Sequence, residues 1–188
     1  MKKTTYGNNS AFTVHNFLSP QECEKWKQRA TAIGFQKNTP ISTNNGPVVN
    51  TKIRNNDRAL VDNPVWANEL WRRMQSHFPS SGHTTAIGLN ERFRFYRYYP
   101  GQYFKPHLDG SFVRNKDERS LWTILIYLNS DMLGGGTKLF WHDVTIQPET
   151  GLLLAFLHRQ PHAGNELLEG VKYVLRSDVM FRVSNPCG

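Results

Sequence analysis

Cysteine is scarce in this chain. Cys23 and Cys187 are its two cysteines and lie near opposite ends, so neither a zinc spacing nor a disulfide framework can be written from them. Long apolar runs are missing as well. No segment reaches the roughly 18–20 apolar residues of a membrane span. The basic start, Met1 to Gly7, lacks the apolar stretch of a secretory signal. No internal repeat and no second linker is visible. Acidic residues are outnumbered, 15 against 23 Lys+Arg, which gives a net charge of +8. That excess favours an anionic partner: nucleic acid, an acidic protein or a small carboxylate. The basic residues are spread along the chain, however, and form no run resembling a nucleic-acid tail. The expectation is a soluble cytoplasmic protein with no membrane contact. At 188 residues it is expected to be a single domain over 1–188. Composition and pattern leave its oligomeric state open.

What is present is first a helical half, then a β-rich half. Phe12 to Phe17 reads as an opening strand. Ser19-Pro20-Gln21-Glu22 is a helix start: Ser19 can cap, Pro20 suits the first turn and Glu22 completes a capping box. Cys23, Trp26, Ala30 and Ile33 recur at helical spacing, and Gly34 is a stop. Residues 35–50 read as a loop, Val48 to Ile53 as a strand, and Arg54 to Arg58 as a turn or a substrate-facing loop. Asn63-Pro64 opens a second helix whose stripe runs from Trp66 through Leu70 and Met74 to Phe78 and ends at Pro79–Gly82.

From residue 91 the period changes to two. Phe93, Phe95, Arg97 and Tyr99 fall on one face of a strand; Arg94, Tyr96 and Tyr98 fall on the other. Further strands are expected at Trp122–Asn129, Thr137–Trp141, Val144–Ile146, Gly151–Leu157 and Val171–Val183. The fold class is therefore mainly β with supporting helices (α+β): a double-stranded β-helix, or jelly roll, with the N-terminal helices packed on one face. Residues 1–90 would form the helical support and substrate-side loops, and 91–183 the jelly-roll core.

The chemistry gathers at Phe104 to Ser111. If that segment is extended, His107 and Asp109 point to one side and Leu108 packs on the other. One imidazole and one carboxylate need a second imidazole to make the open-sided triad of a non-haem Fe(II) oxygenase. His158 and His162 are both candidates; Pro161 between them argues against a helical metal pair. Lys172 and Arg176 share one face of the final strand and could meet a dicarboxylate there.

In order along residues 90–182, these motifs resemble the 2-oxoglutarate- and Fe(II)-dependent oxygenases of the prolyl 4-hydroxylase type. Tyr98-Tyr99-Pro100-Gly101 resembles the family's Tyr-x-x-Gly, and His107-Leu108-Asp109 its His-x-Asp. Tyr127-Leu128-Asn129 resembles its Tyr-Leu-Asn strand, and Gly134-Gly135-Gly136-Thr137 its Gly-Gly-x-Thr. Pro148 to Gly151, Phe156, His162-Ala163-Gly164 and Gly170 to Tyr173 follow in the family's order.

The resemblance implies Fe(2+) held by His107, Asp109 and His162, since the family's distal histidine lies about ten residues before its basic anchor, as His162 does before Lys172. It implies 2-oxoglutarate and O2 as co-substrates, with ascorbate as an optional reductant. Lys172 would take the far carboxylate of 2-oxoglutarate, with Tyr98 (or Tyr99 in its place) and Tyr127 pointing hydroxyls at it. Arg176 departs from the common pattern and could take a carboxylate of the keto acid or of the substrate. Arg54, Arg58 and Arg94 are candidate substrate contacts, and Leu154, Phe156 and Trp122 candidate apolar walls. The implied reaction hydroxylates an unactivated C–H of a prolyl residue or a small amino-acid-like substrate, with decarboxylation of 2-oxoglutarate to succinate and CO2. The partner is thus a small molecule or a peptide. A nucleic-acid oxidative demethylase and a non-catalytic jelly-roll binding module are the alternatives; neither a base-stacking loop nor a basic cluster favours the former.

Overall fold

The computed structural model describes residues 2–37, 39–43, 46–78 and 84–183. Strands β1 (Lys3–Tyr6) and β2 (Ala11–Val14) precede helix α1 (Pro20–Ile33). Strands β3 (Ile41–Thr43), β4 (Gly46–Val48) and β5 (Asp57–Asp62) precede helix α2 (Pro64–Met74). The chain then runs through β6 (Thr84–Leu89), β7 (Arg92–Tyr98), β8 (Phe104–His107), β9 (Glu118–Tyr127) and β10 (Met132–Gly134). It continues through β11 (Thr137–Leu139), β12 (Val144–Ile146), β13 (Leu153–Leu157), β14 (His162–Gly164), β15 (Leu167–Gly170) and β16 (Lys172–Val183).

The helices begin where local chemistry starts them. The Ser19 hydroxyl accepts from the Glu22 amide and the Glu22 carboxylate accepts from the Ser19 amide, so two otherwise orphaned donors are satisfied reciprocally. Gly34, at φ +90°, ends α1. Asn63 caps α2 through the Trp66 amide, at 3.0 Å.

The major sheet is antiparallel, in the order β1-β2-β13-β9-β16-β7-β5, with β6 on the far end of β16. A smaller sheet, β12-β11-β14-β8, lies over its inner face. On the outer face, Trp26, Leu70 and Met74 of the helices pack with Phe93, Phe95, Trp122 and Ile124 of the sheet. Between the two sheets, Tyr96, Leu125, Leu154, Phe156 and Val174 pack with Leu139 and Ile146. The result is a jelly roll with its helices on one face. β7 shows the alternation most plainly: Phe93 and Phe95 enter the helical core, and Tyr96 and Tyr98 the space between the sheets.

Several local expectations change. No strand spans Val48 to Ile53. The Asn50 side chain accepts from the Lys52 amide and its carbonyl accepts from the Ile53 and Arg54 amides, which folds that segment into a turn. The polar stretch after it leads into β5, which begins at Asp57 and pairs along β7 from Asp57–Arg97 to Asp62–Arg92. The strand expected to reach Trp141 ends at Leu139, where Phe140–His142 makes a 3-10 turn. Strands β1, β2, β5 and β6, all before residue 91, complete the major sheet. The helix stop expected at Pro79–Gly82, and Cys187, lie outside the described residues.

Candidate active site

Two antiparallel strands of the smaller sheet place the histidines. His107 ends β8 and is registered directly opposite His162 of β14. Asp109 follows in the loop, where its amide donates to the His158 carbonyl at 3.1 Å. The strand therefore stops before Asp109, and Leu108, expected to pack inward, is 59% exposed instead. Ligand atoms of His107, Asp109 and His162 all lie within 4.8 Å of one another.

Both imidazoles have their tautomer fixed from behind. Nδ1 of His107 donates to the Lys105 carbonyl at 2.7 Å, and Nδ1 of His162 to the Gln160 carbonyl at 2.9 Å. Each Nε2 is left with its lone pair turned toward the carboxylate, 3.9 Å from Oδ1 for His107 and 3.6 Å from Oδ2 for His162. Burial lowers the pKa of both rings, His107 to about 4, with the facing His162 adding to its shift. Two neutral imidazoles and one carboxylate are the deprotonated donor set a divalent cation requires. Phe104 stacks on His107 at 3.6 Å between ring centres, and Phe156 packs on His162 at 4.5 Å. These rings hold the imidazoles and keep one side of the triad apolar.

Asp109 is held by two partners of its own. Burial works to raise its pKa, but the Arg176 guanidinium overrides that and holds the carboxyl well below the usual range. Arg176 Nη2 meets Oδ1 at 2.9 Å, and the Thr123 hydroxyl donates to Oδ2 at 2.6 Å. Behind Thr123 stands His158, with Nδ1 at 3.0 Å from the Thr123 oxygen and Nε2 at 2.8 Å from the Ser120 hydroxyl. Because Thr123 spends its only proton on Asp109, it accepts from His158 Nδ1, and Nε2 then accepts from Ser120. His158 thus supports the carboxylate and contributes no atom to the triad. Sequence reasoning weighed it only as a metal ligand; its buried, Pro161-adjacent position gave no separate signal.

A small pocket opens beside the triad, walled by Tyr96, Tyr98, Leu125, Val174, Lys172 and Arg176 among others. Lys172 is registered opposite Tyr98 and is fully buried; its ammonium donates to the Gly135 carbonyl at 2.5 Å and has no carboxylate beside it among the described residues. Burial pushes its pKa down to about 7. Gly135 is at φ +67°, and a Cβ there would lie 3.1 Å from Cδ of Lys172, so glycine makes room for the lysine side chain. Tyr98 faces this pocket, whereas Tyr99 turns outward beneath Arg97. Tyr127 presents its ring to Lys172 and gives its hydroxyl proton to Thr137 at 2.7 Å.

The remaining predicted residues divide. Leu154 and Phe156 lie between the sheets on the pocket's side, but Trp122 faces away, packed between Phe12 and Phe78 in the helical core. Its position in β9 sets that side: Thr123 and Leu125 point inward, so Trp122 and Ile124 point outward. Arg54, Arg58 and Arg94 stand around Tyr96, next to the pocket and outside its lining. His142 binds Ser10 at 3.0 Å, and His83 lies outside the described residues.

The comparisons with known proteins agree with this geometry. "Prolyl 4-hydroxylase 1" of Arabidopsis thaliana is 24% identical over 185 residues, which cover 85% of this chain and 65% of that protein. The chain thus spans just under two thirds of that plant relative. A prolyl hydroxylase from Trichoplax adhaerens, solved with a hypoxia-inducible-factor peptide fragment, superposes with a TM-score of 0.68 at 20% identity, covering 92% of this chain and 84% of that one. A viral collagen prolyl hydroxylase from Paramecium bursaria Chlorella virus 1, solved as its 2OG complex, gives 0.63 at 19% identity, covering 94% and 98%. The model of the 2OG-Fe(II) oxygenase superfamily matches residues 93–177, a span that contains the triad, Lys172 and Arg176. Over residues 93–177 the chain is thus similar to the 2OG-Fe(II) oxygenase superfamily.

Proposed function

We propose that the protein is an Fe(II)- and 2-oxoglutarate-dependent dioxygenase that hydroxylates an unactivated C–H of a prolyl residue or a small amino-acid-like substrate. One observation carries the reading. Two neutral imidazoles and a carboxylate converge on one point, and a buried, carboxylate-free lysine lies in the wall of the same pocket. The prolyl substrate class is supported by the names of the three relatives described above, which are prolyl hydroxylases.

In this reading His107, Asp109 and His162 hold Fe(II). Bound iron, 2-oxoglutarate and O2 supply the oxidising power, the keto acid being decarboxylated to succinate and CO2 as the substrate C–H becomes C–OH. The chain's own residues do the rest. Lys172 pairs with the far carboxylate of the dicarboxylate, and Tyr98 closes the pocket around it. Thr123 and Arg176 fix both oxygens of Asp109, so the carboxylate cannot rotate. Phe104, Phe156, Leu125 and Val174 exclude water from the reacting centre. The whole of 1–188 acts as one oxygenase domain in the cytoplasm, a reading supported by Cys23 being a buried free thiol. No described helix is long and apolar enough to cross a membrane.

The test is succinate formation from 2-oxoglutarate by iron-loaded protein after air is admitted, with and without free amino acids and prolyl peptides. Stimulation by either class is expected. His107→Ala and Asp109→Ala should each abolish it; full activity in either variant would remove the triad from the mechanism.

A further inference from the structure

The inner face of the major sheet carries more buried cation than the triad and the keto acid account for. The register places Arg58 of β5 opposite Tyr96 of β7, Leu60 opposite Arg94, and Arg94 opposite Arg176 of β16. All of these therefore project from the same face as Tyr96, which is itself a wall of the pocket. Arg54, just before β5, reaches the same spot from the other side. Its guanidinium is 6.0 Å from the Tyr96 ring and 5.4 Å from Phe104, which stacks on His107.

Four guanidiniums thus surround one tyrosine, and the anions beside them are few. Asp178 is shared between Arg94, at 3.1 Å, and Arg176, at 3.3 Å. Asp109 meets Arg176 and belongs to the triad. Arg54, only 5% exposed, is held by the Thr39 hydroxyl and by the Thr39 and Pro40 carbonyls, with no carboxylate, and its Nε has no partner. Arg58 is half-buried. Among the described residues it makes no ion pair and no side-chain hydrogen bond, and its buried Nε is unpartnered too. Desolvation works against its charge, and Arg54, Arg94 and Arg176 repel it further. A buried cation kept without a counter-ion is costly.

We infer that Arg58, backed by Arg54 and Arg94, binds a carboxylate carried by the substrate close to the carbon that is oxidised. The guanidinium fork matches a carboxylate in two parallel hydrogen bonds. Tyr96 belongs both to the pocket wall and to the cluster, so the anion lies next to the reacting group and not on a distant part of the substrate. Arg58 is the member with exposed surface and free donors, which makes it the contact; Arg54 and Arg94 are already oriented by Thr39 and Asp178. Lys172 sits apart from the cluster at the Gly135 carbonyl, so the co-substrate's far carboxylate and the substrate's carboxylate do not compete for one cation. This inference rests on the oxygenase reading for the identity of the reacting pocket. The carboxylate has two sources, the free α-carboxylate of an amino acid or an acidic side chain beside the target residue of a peptide.

The experiment is calorimetric titration of the protein loaded with Fe(II) and 2-oxoglutarate under anaerobic conditions. One arm uses N-acetylated amino acids, proline among them, against their amides. The other uses prolyl peptides flanked by Asp or Glu against their Asn and Gln counterparts. The charged member of one pair is expected to bind at least about tenfold tighter, and Arg58→Gln should bring the pair within about twofold. The pair that shows the difference identifies the source. Equal affinities within every pair, a preference untouched by Arg58→Gln, or no charged member binding below about 1 mM would each overturn the inference. Tighter binding of a single-stranded oligonucleotide would overturn it as well. Succinate formation by wild-type protein in air is scored separately: its absence alongside an intact carboxylate preference would sink the oxygenase reading and leave the carboxylate site standing.

Discussion

The guanidinium of Arg176 stands 2.9 Å from Oδ1 of Asp109, closer than either triad imidazole comes to that carboxylate. Without a metal this arginine is the carboxylate's charge partner. With one, it shares the carboxylate. Arg176→Met should therefore lower the stability of the metal-free protein by about 3–5 kcal/mol, because a buried carboxylate loses its counter-ion. Added Fe(II) should recover most of that loss, so the metal-induced rise in Tm is larger in the variant than in the wild type. Equal rises would show that Arg176 does not share Asp109 with the metal.

With Lys172 in the role proposed for it, co-substrate binding should depend on pH. Its pKa of about 7 in the ligand-free protein lies below the unfolded value of 10.5 because burial disfavours the ammonium. Between those values the unfolded chain holds the extra proton, so the ligand-free protein gains stability as pH rises through this window. A dicarboxylate prefers the protonated form. Its binding should draw in a proton above pH 7, and its Kd should rise up to about tenfold per pH unit there. Calorimetry in two buffers of different ionisation enthalpy reads the proton directly. Lys172→Arg, permanently charged, should flatten the dependence.

Thr123 is the link between Asp109 and His158. Thr123→Val keeps the shape but removes the donor to Oδ2 and strands the Nδ1–H of buried His158. Metal affinity should fall about 10–100-fold, the usual loss when a ligand's support is removed. Thr123→Ser, which restores the hydroxyl, should recover it. A valine variant that binds iron as the wild type does would make the relay purely structural.

Gly135 tests the room made for Lys172. Alanine there forces a left-handed φ of +67° on a residue with a Cβ and brings that Cβ to 3.1 Å from both Leu167 and Lys172. A cost of about 1–2 kcal/mol is expected from the backbone alone. The KM for 2-oxoglutarate should rise more than kcat falls, because the crowded methylene stem carries the ammonium. Unchanged KM with lowered Tm would confine the role of this glycine to folding.

Much of the architecture was legible because the relevant signals are local. Ser19 and Glu22 announce a helix within four residues, and Phe93 to Tyr98 announce a two-faced strand by alternation alone. The triad was legible for a different reason: His107, Asp109 and His162 stand in an ordered series of short motifs. What escaped depends on distant partners. Lys3–Tyr6 and Thr84–Leu89 have little apolar pattern and become strands because β2 and β16 offer them edges. Trp122 was read as a pocket wall, yet its side is fixed by the register of β9 against β13 and β16, which no window around it contains. His158 escaped because its role is a hydrogen bond to Thr123, 35 residues earlier in the chain. Leu108 was expected inside, and the chain leaves the strand one residue too soon for that.

The two faces of β7 open a practical route to altered selectivity. Phe93 and Phe95 anchor the helices, whereas Tyr96 and Tyr98 line the pocket with Arg94 beside them on the same face, and the two sets interleave residue by residue. A combinatorial library confined to the even positions, together with Arg58 on the neighbouring strand, should reshape what the pocket accepts and leave the helix-packing face intact. Mutational tolerance along this single strand should therefore oscillate with a period of two, with folding yield tracking the odd positions and substrate range the even ones.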